Sequence, residues 1–145
     1  MTLVSALIGL ALLLVATVAL GVFVRWRQGQ PRRHIPHEIV EPHRLGADSL
    51  GSVATLLQFS TELCARCPGV HRTLAAFAEG REGVRHLDID VTYRPDIAKH
   101  FHVLQTPTTL ILDRDGVVQT RFGGVPNREV LELELTRLTG ETANV

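Results

Sequence analysis

The segment "ELCARCPG", residues 62 to 69, contains both cysteines of the chain, Cys64 and Cys67, with two residues between them and a proline directly after. Thiols at this spacing support three kinds of chemistry. They supply half of a metal site, close a small structural loop, or pass electrons by making and breaking a bond to each other. A metal site wants a full tetrahedral ligand set, and the clustered extra candidate is His71, one turn past Cys67, so a metal-handling protein built on Cys64, Cys67 and His71 is one alternative. Covalent haem attachment needs a histidine immediately after the second cysteine, where this chain has Pro68. A structural staple across so short a loop removes little chain entropy. Electron transfer uses every feature of the segment and needs no bound cofactor, because the sulfurs themselves carry the electrons.

For that chemistry one sulfur must ionise near neutral pH. A short apolar run, "SVATLLQFS" (52–60), leads into the segment, and a helical pattern, "VHRTLAAFAEG" (70–80), leads out of it. The pair is therefore expected to open a helix, whose first N–H groups are unpaired and whose dipole is positive there. Such a setting brings a cysteine pKa from about 8.5 into a range of roughly 3.5 to 7.5. Arg66, between the two cysteines, adds positive charge. Cys64 is the expected nucleophile, and Cys67, deeper and one turn later, the thiol that resolves a mixed disulfide on Cys64.

The remaining elements must position that pair. "GVRHLDID" (83–90) alternates as a strand does, and "RPDIAKHF" (94–101) reads as a helix with Pro95 in its first turn. "TTLILD" (108–113) and "VVQTRF" (117–122) are two strands around Asp115-Gly116, a hairpin signal, and Gly123-Gly124 ends the run. "NREVLELELTRL" (127–138) begins with an asparagine cap, although its L-E-L-E-L alternation also suits a strand. The order β-α-β-α-β-β-α predicts an α/β domain, a small mixed sheet covered by helices.

The front of the chain is different. No charge occurs from Leu3 to Val24, and as a helix this run reaches roughly 33 Å, enough for a bilayer core. A cleaved signal peptide is the competing reading, but the run is long and nothing basic precedes it. Residues 1–24 are expected to be a retained single-pass anchor in contact with lipid. Arg25, Arg27, Arg32 and Arg33 follow with no acid before Glu38, and Trp26 suits the interface, so the domain is expected on the cytoplasmic side. The opposite, extracytoplasmic orientation stays open, since a span with so short a leading tail can invert. Residues 25–48, with Pro31, Pro36 and Pro42, are expected to be an extended tether, 49–140 the domain, and 141–145 a tail. His34, His37 and His43 near Glu38 and Glu41 read as a solvated linker rather than a metal tract, because the prolines keep the imidazoles apart. A formal net charge of zero argues against a nucleic-acid partner.

The strand, CxxC, helix, strand, helix and then "TPT" before a hairpin resemble the thioredoxin superfamily over about residues 50–138. The resemblance implies a thioredoxin-like fold and a thiol–disulfide oxidoreductase acting on protein disulfides or dithiols through a redox-active Cys64–Cys67 disulfide. It also implies that the bond before Pro107 is cis, that Pro107 packs against the cysteine pair, and that Thr106 offers its backbone to a bound peptide. The stretch "LGADSLGSVATLLQFSTELC" is similar to the membrane-tethered TlpA-like branch: the first helix of free thioredoxins is missing, while the tether has room for a short strand. Members of that branch usually work outside the cytoplasm, against the charge argument.

Three positions depart from the family pattern. Leu63 stands where thioredoxins have tryptophan. Gln58 and His86 stand where they keep a buried aspartate and a lysine that move the resolving thiol's proton. Glutamine takes up no proton. His86, with a pKa near neutrality, is then a candidate acceptor for the Cys67 proton, the alternative being a partly exposed strand histidine of no special role.

Overall fold

The computed structural model describes residues 3–28, 32–33 and 39–140. Helix α1 spans Leu3–Gln28, and none of its apolar window is buried against the rest of the chain. Among the described residues it is the one helix long and apolar enough to cross a membrane. It runs past Val24 through Arg25, Trp26 and Arg27, residues whose long or amphipathic side chains suit the edge of an apolar phase.

A two-residue strand, β1 (Arg32–Arg33), follows. Then come β2 (Ala54–Ser60), α2 (Cys67–Glu79), β3 (Val84–Asp90), α3 (Pro95–His100), β4 (Thr108–Asp113), β5 (Val118–Gly123) and α4 (Arg128–Thr139). The predicted order holds, with bounds shifted by a few residues. The L-E-L-E-L segment is helix: the Asn127 carboxamide accepts from the N–H groups of Glu129 and Val130, and Leu131, Glu134 and Leu135 fall on its buried face. The sheet order is β1-β5-β4-β2-β3, with β2 and β3 parallel and the other pairs antiparallel.

Strand β2 is buried on both faces, as a central strand with no polar alternation should be. Leu57 and Phe59 face one core, with Ile97 and Phe101 of the α3 region, Leu110, Leu112 and Val118. Ala54 and Leu56 face the other, beneath Val70, Leu74 and Phe77 of α2 and Leu131 and Leu135 of α4. That second apolar face gives way to Gln58 at the carboxyl end of β2, next to the start of α2.

The expected tether is corrected at its carboxyl end. Residues 39–48 lie against the domain. Val40 and Leu45 are 2% and 5% exposed, Ile39 bridges Val117, and a short 3-10 helix spans Pro42–Leu45. The Val40 N–H donates to the Gly116 carbonyl at 2.8 Å, and a Cβ on Gly116 would sit 2.7 Å from the Val40 carbonyl oxygen. With φ at 79°, Gly116 therefore serves both the hairpin turn and the close passage of this segment. Prolines suggested an extended chain, but two apolar side chains bound for the core decide its course. His34, His37, Glu38, Pro31 and Pro36 and the 141–145 tail lie outside the described residues, so a convergence of the three histidines has no structural counterpart to weigh. Leu45→Ala is expected to destabilise the domain by about 2 to 4 kcal/mol in urea denaturation of the full chain in detergent. A change below about 0.5 kcal/mol, the usual effect of an exposed position, would return this segment to the tether.

Candidate active site

Strand β2 stops at Ser60, and a turn carries the chain to the cysteines: the Cys64 N–H donates to the Thr61 carbonyl and the Cys67 N–H to the Cys64 carbonyl. Helix α2 begins at Cys67, with Arg66 as its N-cap and Pro68 in the first turn. This corrects the expectation that both cysteines open the helix. Cys64 precedes it by a turn and is bonded to Cys67, the first residue of the helix. The two sulfurs are joined, with the Cα atoms 5.4 Å apart. Cys67 is 5% exposed, whereas Cys64 is half-buried, so an incoming partner meets Cys64 first. Arg66 is exposed on the rim, and Leu63, in the tryptophan position, is 97% exposed.

The Thr106–Pro107 bond is cis and Pro107 is buried. Oγ1 of Thr106 and Oγ1 of Thr61 share a hydrogen bond of 3.1 Å, which ties this loop to the turn that carries Cys64. The Pro107 carbonyl accepts from Gly124 N–H at 2.8 Å, so Gly123-Gly124 supports the loop as well as ending β5.

Gln58 is fully buried and lies behind Cys67. Its Nε2 donates to the Cys67 carbonyl at 3.1 Å, and its Oε1 lies 3.3 Å from Nε2 of His86. Because the Gln58 N–H faces a carbonyl, its oxygen faces the imidazole, and Nε2 of His86 is the nitrogen that donates. The structure thus brings Gln58, His86 and Cys67 together. It overturns the near-neutral His86: burial, with the nearby His71 adding to it against an opposing pull from Asp88, pushes its pKa down to about 4. A base that weak is neutral and poorly suited to taking a thiol proton at neutral pH.

Sequence reasoning weighed His71 only as a metal ligand and missed its partner, Asp88. His71 Nδ1 lies 2.9 Å from Asp88 Oδ2, the other oxygen of Asp88 accepts from Ser60 Oγ at 2.7 Å, and the His71 and His86 rings meet edge to face at 4.7 Å between centroids. The signal was present: His71 is four residues after Cys67 on α2, and Asp88 is in register with Gln58. His71 therefore faces a carboxylate, and among the described residues no group of three or more His, Cys, Asp or Glu side chains is placed to hold a metal ion. A shallow cavity of about 350 Å³ runs along this corner, lined by Ser60, Glu62, Cys64, Cys67, His71 and Asp88 among others.

No family model matches the chain. The thioredoxin of Chlamydia trachomatis is 33% identical over 85 residues, 59% of this chain and 82% of that protein. Mitochondrial thioredoxin 3 of Saccharomyces cerevisiae is 26% identical, with a TM-score of 0.52, over 60% of this chain and 80% of that one. A mutant thioredoxin from Halobacterium salinarum, 19% identical, shares the fold with a TM-score of 0.54 over 66% of this chain and 80% of its own. With its paired sulfurs at the mouth of the sheet, the chain belongs to the thioredoxin family. It is a thiol–disulfide oxidoreductase.

The buried imidazole gives a pH test. His86 has a folded pKa of about 4, below the value of about 6.5 expected when unfolded. Between these values the unfolded chain binds the extra proton, so stability falls as pH drops from 6.5 toward 4 and is fully kept above. His86→Gln, which preserves a donor toward Gln58, is expected to flatten this part of the pH dependence of Tm. Parallel curves for the two proteins would show that His86 does not contribute.

Proposed function

We propose that the chain is a single-pass, membrane-tethered oxidoreductase of protein thiols and disulfides, in which Cys64 attacks and Cys67 resolves. The observation that carries the reading is the asymmetry of the pair: joined sulfurs, the first open to a partner and the second buried at the first turn of α2. Arg66 stabilises the Cys64 thiolate from the rim, and by favouring the reduced form makes the pair a stronger oxidant than a neutral residue would. Thr106 and Pro107 form the platform on which a peptide lies against the disulfide. The exposed Leu63 next to Cys64 suits an apolar protein surface better than a small soluble thiol.

Residues 1–24 act as the anchor, and tethering raises the local concentration of membrane-bound partners without a new contact. The likeness to the TlpA-like branch supports such a tethered role. The arginines that follow the apolar run support a cytoplasmic domain. A metal-handling role is less well supported, with the sulfurs bonded to each other and His71 turned to Asp88.

Insulin reduction by the full chain tests the chemistry. Cys64→Ser is expected to abolish it, Cys67→Ser to accumulate a mixed disulfide on Cys64, and Arg66→Gln to slow the first attack. Turnover that survives Cys64→Ser ends the reading. Reporter fusions at the carboxyl terminus test the orientation: activity of a cytoplasm-dependent reporter is expected, and activity of an export-dependent one reverses the assignment.

A further inference from the structure

We propose that His71, oriented by Asp88, takes the proton from Cys67 when that thiol resolves the mixed disulfide. The inference rests on the oxidoreductase reading above and concerns its second step.

A buried thiol is a poor nucleophile until it loses its proton, so resolution needs an acceptor close to Cys67. Two of the side chains around it are already committed. The Gln58 carboxamide donates to the Cys67 carbonyl and has no basic atom. His86 points its N–H at Gln58 and is buried enough to hold protons weakly.

His71 is arranged otherwise. It follows Cys67 by one helical turn, and side chains on a helix lean toward its amino end, which brings the imidazole over the turn that holds Cys67. Cys67 and His71 line the same cavity, so the proton passes directly or across one cavity water. The Asp88 carboxylate is held by Ser60 through one oxygen and receives Nδ1–H of His71 at the other. That bond orients the ring and selects the tautomer that leaves Nε2 free to accept a proton. The surroundings that bear on the protonated ring are Glu62 and Cys64 from the preceding turn, Cys67 and Arg72 from α2, and His86 and Asp88 from β3, with the uncharged Ser60 at the end of β2. Asp88 is the carboxylate in direct contact, at 2.9 Å.

The step balances. Cys64 thiolate first attacks the substrate disulfide and releases one substrate thiolate, leaving a mixed disulfide. Cys67 then gives its proton to His71 Nε2, its thiolate attacks Sγ of Cys64, the intermolecular S–S bond breaks, and the second substrate thiolate leaves and takes the proton from His71. Two electrons pass from the chain's dithiol to the substrate, and the Cys64–Cys67 bond forms.

Stopped-flow single turnover of the reduced full chain in detergent, with a peptide disulfide whose two thiols report separately, tests this. The first release follows attack by Cys64 and the second follows resolution by Cys67. His71→Asn and His71→Gln are expected to slow the second release by about 100-fold and to remove its pH inflection, while the first release keeps its rate. Asp88→Asn, which keeps the imidazole but loses the carboxylate that orients it, is expected to slow the second release less than the His71 variants do. A second release in the His71 variants with the parent's rate and pH profile overturns the inference and leaves the oxidoreductase reading standing. A parent chain that releases neither thiol overturns both.

Discussion

A single buried amide joins the sheet to the helix where the sulfurs sit. Gln58 has no contact with solvent, and both ends of its carboxamide are matched, one to the carbonyl of Cys67 and the other to the ring of His86. An unmatched polar group at such depth would be costly, so the position of α2 over β2, the tautomer of His86 and the depth of Cys67 are set together. The same commitment removes this position from proton chemistry. An amide can hold the helix in place, but it cannot act as a base.

The polar corner follows from where the apolar faces end. Ala54 and Leu56 pack under α2 and α4, and two residues further along β2 the same face presents Gln58; on the parallel β3, Val84 gives way to His86 and Asp88. Both strands point their carboxyl ends at this corner, the end of an α/β sheet where reactive groups collect. Helix α2 contributes Cys67 and His71 from above, and the turn before it contributes Cys64. The apolar part of the layer provides rigidity, and its polar edge holds the chemistry in a fixed geometry.

Much of this was readable from residue order. The two-faced burial of β2, the hairpin around Asp115-Gly116 and the cap at Asn127 rest on local pattern, and all three are present. The cis bond before Pro107 was implied by family resemblance and is also present. What local pattern could not supply depended on partners distant in sequence. Val40 and Leu45 looked like tether because their neighbours are prolines and charges, and it is the face formed by α3, β4 and β5 that buries them. His86 looked like a titrating strand histidine because its burial and its neighbour His71 belong to a packed corner rather than to a strand. His71 read as a candidate metal ligand, and its pairing with Asp88 becomes visible only when α2 and β3 are laid side by side.

Strand β1 has a mechanical consequence. Arg32 and Arg33 pair with Arg121 and Thr120 at the edge of the sheet, only four residue steps after α1 ends at Gln28. Four steps of extended chain reach at most about 14 Å. If α1 is the membrane anchor proposed above, the leash between lipid and sheet edge is short, and the domain would stay close to the lipid surface. In that arrangement a client would have to bring its disulfide within the same short reach of the lipid surface.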